Sequence, residues 1–140
     1  MRTRWWLMGS LLLALVAVGT PTRSASADEL AEGRAQFKRY CASCHGVEAD
    51  GHGFVAAALA HPPGDLRHLG EGNDTSLLAD RLVRAIDGRT VVVAHGEREM
   101  PVWGEQFGDI QAAEGVPRET AVRARVNAIV AYLLSIQVKR

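Results

Sequence analysis

Cysteine is nearly absent from this 140-residue chain, occurring twice, at Cys41 and Cys44. That scarcity excludes a framework of several disulfides and a zinc site built from two cysteine pairs. Neither sign of charge is in excess, with 16 basic and 16 acidic residues, and no basic stripe argues for nucleic acid. Long hydrophobic runs are scarce too. The run from Trp5 to Val18 makes a helix of only about 21 Å, short of the ~30 Å hydrocarbon core. No second apolar span argues for an integral membrane protein, and no internal repeat or low-complexity tract is present.

Arg2 and Arg4 precede the apolar run, and Ala25-Ser26-Ala27 fits the small-residue cleavage pattern. Residues 1–27 are therefore expected to form a secretory signal peptide cleaved after Ala27, with an uncleaved anchor as the rival reading. No twin-arginine pair is present, which favours export of the unfolded chain. Residues 28–140 have the size of one compact domain. Losing Arg2, Arg4 and Arg23 but no acid, this part carries three more acidic than basic residues. A mildly acidic domain in the periplasm, or otherwise exported, is the expectation.

Both cysteines fall in Cys41-Ala42-Ser43-Cys44-His45. The order C-x-x-C-H is the attachment sequence for c-type haem. Two thiols at that spacing can each add to one porphyrin vinyl group, and the adjacent histidine then lies under the iron. A disulfide is the usual fate of a cysteine pair in an oxidising compartment. A thiol-redox C-x-x-C, however, is expected beside a βαβ pattern, and the flanks here read helical. For zinc, His52 and His61 are poor further ligands.

Three helices are expected, and no strand. The first runs from Glu29 to Tyr40, capped by Ser26 or Asp28, with Leu30, Gly33, Phe37 and Tyr40 on one face. It delivers Cys41 directly to the haem. Gly46 to Gly72 is rich in glycine and proline, and a loop that long calls for an organiser, such as a flat apolar cofactor. A short helical turn fits Ala56 to Ala60. The second helix spans Ser76 to Asp87, capped by Asp74 or Thr75 and closed by Gly88, with Leu78, Leu82 and Ile86 buried. Val91–Val93 reads as extended loop. The third helix spans Arg118 to Gln137 behind Pro117, burying Val122, Val126, Ile129, Val130, Leu133 and Ile136 and turning Arg118, Arg123 and Arg125 to solvent.

A histidine-ligated haem carrier needs a second axial ligand, commonly methionine, which raises the reduction potential. Met1 and Met8 leave with the leader, so Met100 is the one methionine of the remaining chain. Pro101 biases it toward an extended conformation, which helps a loop hold a side chain in place. Core filling is the alternative for Met100. His95 is the competing ligand; His52, His61 and His68 read as surface or loop-bonding residues. Leu66, Leu82 and Trp103 are candidate pocket residues.

C-x-x-C-H after a first helix, the Met100-Pro101-Val102-Trp103-Gly104 segment and a last amphipathic helix containing Ala131-Tyr132-Leu133 together resemble a class I cytochrome c. The likeness extends over essentially all of 28–140. It implies an all-α fold, with helices wrapped around one covalently bound haem c and the terminal helices crossing. Gly33 and Phe37 would then meet Ile129, Tyr132 and Leu133. Cys41 and Cys44 would attach the haem, and His45 and Met100 would ligate its iron. A carbonyl near Pro62 or Pro63 would accept the His45 Nδ1 proton. Related bacterial sequences often have proline after Gly-x-Gly, whereas here Gly53 precedes Phe54. The stretch from Phe107 to Pro117 is also longer than in minimal members.

The resemblance implies one-electron transfer rather than catalysis, between exported or membrane-bound redox-partner proteins, with only transient docking to membrane complexes. Two alternatives stand beside the free carrier. One is a dedicated subunit of a periplasmic dehydrogenase or terminal oxidase. The other is a ligand sensor or peroxidase with a labile Met100.

Overall fold

The computed structural model describes residues 25–70, 74–90, 99–112 and 115–138. Most of the expected leader, Val91–Val93 and the competing ligand His95 lie outside the described residues.

Five α-helices and two short 3-10 turns make up the described residues, with no strand among them. Helix α1 (Ala27–Tyr40) starts at Ser26, whose hydroxyl accepts the Glu29 N–H at 3.2 Å. Asp28 and Glu29 in its first turn and Lys38 and Arg39 in its last complement the helix dipole. One residue later α2 (Ala42–His45) carries most of the C-x-x-C-H motif as a single turn. Helix α3 (Thr75–Asp87) is capped by Asp74, whose carboxylate accepts the Ser76 N–H at 2.7 Å. Gly88, at φ 73°, ends it in the left-handed conformation, and Leu78, Leu82 and Ile86 are buried as expected. Helix α5 (Arg118–Ser135) follows Pro117 and stops two residues short of the expected end. The 3-10 turns span Ala56–Ala58 and Leu66–His68.

Helix α4 (Trp103–Ala112) corrects the expectation of three helices, with none between the Met100 segment and the last. Its pattern is interrupted by Gly104 and Gly108, each a poor helix former, so the sequence carries little helical signal. Packing supplies what propensity lacks. Trp103 and Phe107 stack at 5.2 Å, and Tyr40 of α1 meets them edge-on at 5.6 and 5.3 Å. Arg125 of α5 is a second correction. Rather than lying in solvent, its guanidinium sits 5.0 Å from the Phe107 ring centre and 5.7 Å from that of Tyr40.

The core is built on α5, against which α1, α3 and α4 all pack. Phe37, Ile129, Val122, Val126 and Phe107 are fully enclosed. Phe37 meets Tyr132 at 5.4 Å between ring centres. Gly33 lies against Ala128 and Tyr132, where a Cβ would come 1.9 Å from the Ala128 carbonyl oxygen. The terminal helices thus meet at Tyr132 as expected, and their backbone contact falls at Ala128, next to the expected Ile129.

Arg89 links the end of α3 to the start of α5, pairing with Asp87 at 2.8 Å and Glu119 at 2.7 Å. The guanidinium holds the Asp87 carboxyl below its ordinary range. A carboxyl with a depressed folded-state pKa stabilises the fold above its unfolded pKa of about 4, and that contribution disappears as pH falls through the folded value. Asp87→Asn is expected to lower the thermal midpoint by about 3–5 °C at pH 7. The gap between variant and parent should narrow as pH falls through the folded-state value of Asp87. A gap of the same size at pH 7 and pH 2.5 would refute the ionic origin of the link.

Candidate haem site

The chain rises out of α1 directly into the C-x-x-C-H turn, and Cys41 N–H still bonds to Phe37 C=O at 2.8 Å. The motif is therefore an extension of a helix that is itself locked to α5. Three successive carbonyls of the motif are then taken up by the following loop. Val55 N–H donates to Ser43 C=O at 3.1 Å, Gly53 N–H to Cys44 C=O at 3.2 Å, and Gly51 N–H to His45 C=O at 2.8 Å. Gly53 has to be glycine for this approach, because a Cβ there would lie 2.2 Å from the Ser43 oxygen. The Gly53-Phe54 departure thus leaves the loop in register and turns Phe54 outward, 87% exposed.

The remainder of the loop is held from elsewhere. Leu66 N–H donates to Ala49 C=O at 2.9 Å. From the C-terminus, Gln137 Nε2 donates to Leu66 C=O at 2.8 Å, while its Oε1 accepts the Gly70 N–H at 2.8 Å. The loop expected to need a cofactor for its order has a hydrogen-bonded frame of its own.

These segments surround a cavity of about 540 Å³, within the size range of cofactor sites. Cys41, Cys44 and His45 form one wall, and Met100, Pro101 and Trp103 another. Tyr40, Leu59 and Pro63 add apolar surface, and His61 and Glu99 stand at its edge. Residues 41–45 and residue 100 are far apart in sequence, yet the fold brings all four expected site residues to one cavity. Of the expected pocket residues, Trp103 lines it, whereas Leu82 belongs to the helical core and Leu66 packs against that core. Sequence reading missed Glu99, which has no motif signal of its own beyond standing next to Met100.

The electrostatics keep the donor side chains themselves uncharged. Neither thiol is in a disulfide. Burial, and secondarily the neighbouring Cys44, push the Cys41 thiol up to about 12, so it is protonated at neutral pH. Burial also lowers the His45 pKa, which keeps the imidazole neutral with a lone pair available to a metal. Its Nδ1 is buried without a hydrogen-bond partner. The expected Pro62 or Pro63 acceptor is therefore not engaged; the Pro63 carbonyl faces Gly51 instead. Among the other described histidines, His52 lies within 3.6 Å of Asp50 and His68 within 3.8 Å of Asp65, both away from the cavity.

Two free thiols, a neutral imidazole and a thioether around one apolar cavity are the donor set of a haem bound through sulfur, and the residues present fit that group. An all-helical domain built around such a site defines a c-type cytochrome. Residues 28–116 match the family model for cytochrome C oxidase, cbb3-type, subunit III, and the chain belongs to that family. Among curated proteins and among solved structures, none matches the chain. As a c-type cytochrome domain it carries covalently bound haem c with its iron, and its business is electron transfer. The matched span ends before α5, so the resemblance expected over all of 28–140 extends beyond it. No helix among the described residues is long and apolar enough to cross a membrane.

Proposed function

We propose that this domain is a one-electron carrier with thioether links at Cys41 and Cys44 and axial ligation by His45 and Met100. The convergence of these four side chains on one cavity carries the reading. Haem iron supplies the redox couple. His45 offers a neutral nitrogen because its surroundings disfavour the imidazolium. Met100 offers a soft sulfur, which favours the ferrous state and raises the potential relative to bis-histidine ligation. Trp103, Pro101, Leu59 and Pro63 exclude water and keep the local dielectric low. Held by His45 and Met100, the iron would change oxidation state with little rearrangement of the protein.

The partners are exported or membrane-bound redox proteins, and residues 1–27 are the leader that takes the domain to them. The description attached to the matching family favours a second reading, a permanent place in a terminal oxidase. Co-purification with a larger membrane complex supports that place; a domain recovered alone under mild extraction supports the free carrier.

Met100→Ala tests the ligand set. The variant is expected to lose the weak methionine-to-iron absorption of the oxidised protein and to bind carbon monoxide when reduced. Its potential should fall by more than about 100 mV, on a scale where axial ligands span about 0.8 V. An unchanged potential in this variant would transfer the assignment to His95.

A further inference from the structure

Met100 lies between two anchors of different kinds. On its C-terminal side, Pro101 restricts the backbone and α4 begins at Trp103, held in the aromatic cluster with Tyr40 and Phe107. On its N-terminal side stands Glu99, whose carboxylate grips a segment almost 40 residues earlier. One oxygen accepts the Ala60 N–H at 2.8 Å and the other accepts the His61 N–H at 3.1 Å. His61 Nδ1 lies 3.5 Å from the second oxygen. An ionised carboxylate taking two consecutive backbone donors is a charge-assisted, bidentate contact, stronger and more directional than a neutral one. The Glu99 side chain is 30% exposed and that of His61 90% exposed, and both backbone bonds lie near the surface, so it is their bidentate geometry rather than burial that makes the contact directional.

The clamp joins the two loops that flank the cavity. Leu59, His61 and Pro63 of one loop and Glu99, Met100 and Pro101 of the other all line it. A thioether is an uncharged ligand with no proton to lose, so its hold on a metal depends heavily on being placed there in advance. Freezing a loop and a long side chain in the bound geometry costs conformational entropy. A contact that fixes the preceding residue in the folded protein removes part of that cost from ligation.

From this geometry we infer that Glu99 is a positioning residue, holding the loop so that Met100 stays directed at the iron and outside ligands are kept off. The inference rests on Met100 being the axial ligand. It assigns Glu99 no contact with the haem; the side chain acts through the Ala60–His61 backbone and through its covalent neighbour.

The test uses purified, oxidised holoprotein in three forms: parent, Glu99→Gln and Glu99→Ala. Each is examined for the methionine-to-iron absorption and titrated with imidazole as the probe of ligand displacement. Alanine removes both acceptors, and imidazole affinity is expected to rise about tenfold while the absorption weakens. Glutamine keeps one uncharged acceptor and should fall between, near threefold. A stabilising role unrelated to the ligand would lower the melting temperature without moving imidazole affinity. Should the alanine variant fail to accumulate, the glutamine variant carries the comparison. If the parent shows the methionine absorption and the variants match it in imidazole affinity, the clamp is overturned alone. A parent without that absorption overturns the ligand assignment and the clamp together.

Discussion

A protein in which Cys41 and Cys44 are both alanine is expected to be made without covalently held pigment, and to fold poorly. The first outcome follows from there being two cysteines in the chain, both bordering the cavity and neither bridged. With no other thiol, no thioether can form, and acid–acetone should extract all colour from the variant. Mass spectrometry should give the weight of the bare polypeptide, against parent protein heavier by one haem. The second outcome follows from size. Without the haem, a cavity of about 540 Å³ leaves to water the apolar walls that the group would cover, among them Tyr40, Leu59, Pro63, Pro101 and Trp103. The haem is therefore as much a part of the core as any side chain. Loss of most far-ultraviolet helical signal in the double variant is the expected reading. Pigment surviving extraction would sink the attachment assignment.

Gly33→Val is expected to be nearly as damaging, although Gly33 touches no part of the cavity. A Cβ at this position would lie 1.9 Å from the Ala128 oxygen and 2.6 Å from its carbonyl carbon. Both atoms are backbone of α5, so no rotamer change relieves the overlap; the two helices must separate. Helix propensity alone argues the other way, since replacing an interior glycine by alanine gains about 1 kcal/mol. Overpacking a tight contact costs about 1–3 kcal/mol even where side chains can yield, and here they cannot. The clash therefore wins, with a loss of at least ~3 kcal/mol for valine and a fall in thermal midpoint beyond about 10 °C. Urea unfolding of the holoprotein measures it. A Gly33→Ala variant more stable than its parent would show that α1 and α5 do not meet so closely.

The elements legible in sequence share a feature: their signals are local. Asp74 or Thr75 as cap, Gly88 after Asp87, and Leu78, Leu82 and Ile86 on one stripe specify α3 within fifteen residues, and the structure places the cap at Asp74. The C-x-x-C-H pentapeptide is equally local, because haem attachment needs two thiols and a histidine at one fixed spacing. Met100 is singled out by elimination, as the one methionine after residue 27, and the fold brings it to the cavity. Helix α4 was not legible, because its stability comes from Tyr40, Phe107 and Arg125 meeting across three helices rather than from its own glycine-interrupted pattern. For the same reason the place of Arg125 is not legible locally, its partners being aromatic faces far away in sequence.

What the chain determines by itself is therefore the set of side chains offered to the group it carries: two thiols, one imidazole and one thioether, with helices at either end. Tertiary structure decided where that chemistry is held. It packed Gly33 on Ala128 so that α1 points the motif into a cavity. It bound the Gly51–Val55 loop to the carbonyls of Ser43, Cys44 and His45. It brought Glu99 onto Ala60 and His61 beside Met100. Each of these contacts joins backbone to a partner that no local pattern specifies, since peptide groups are the same at every position and only the completed fold selects which ones meet.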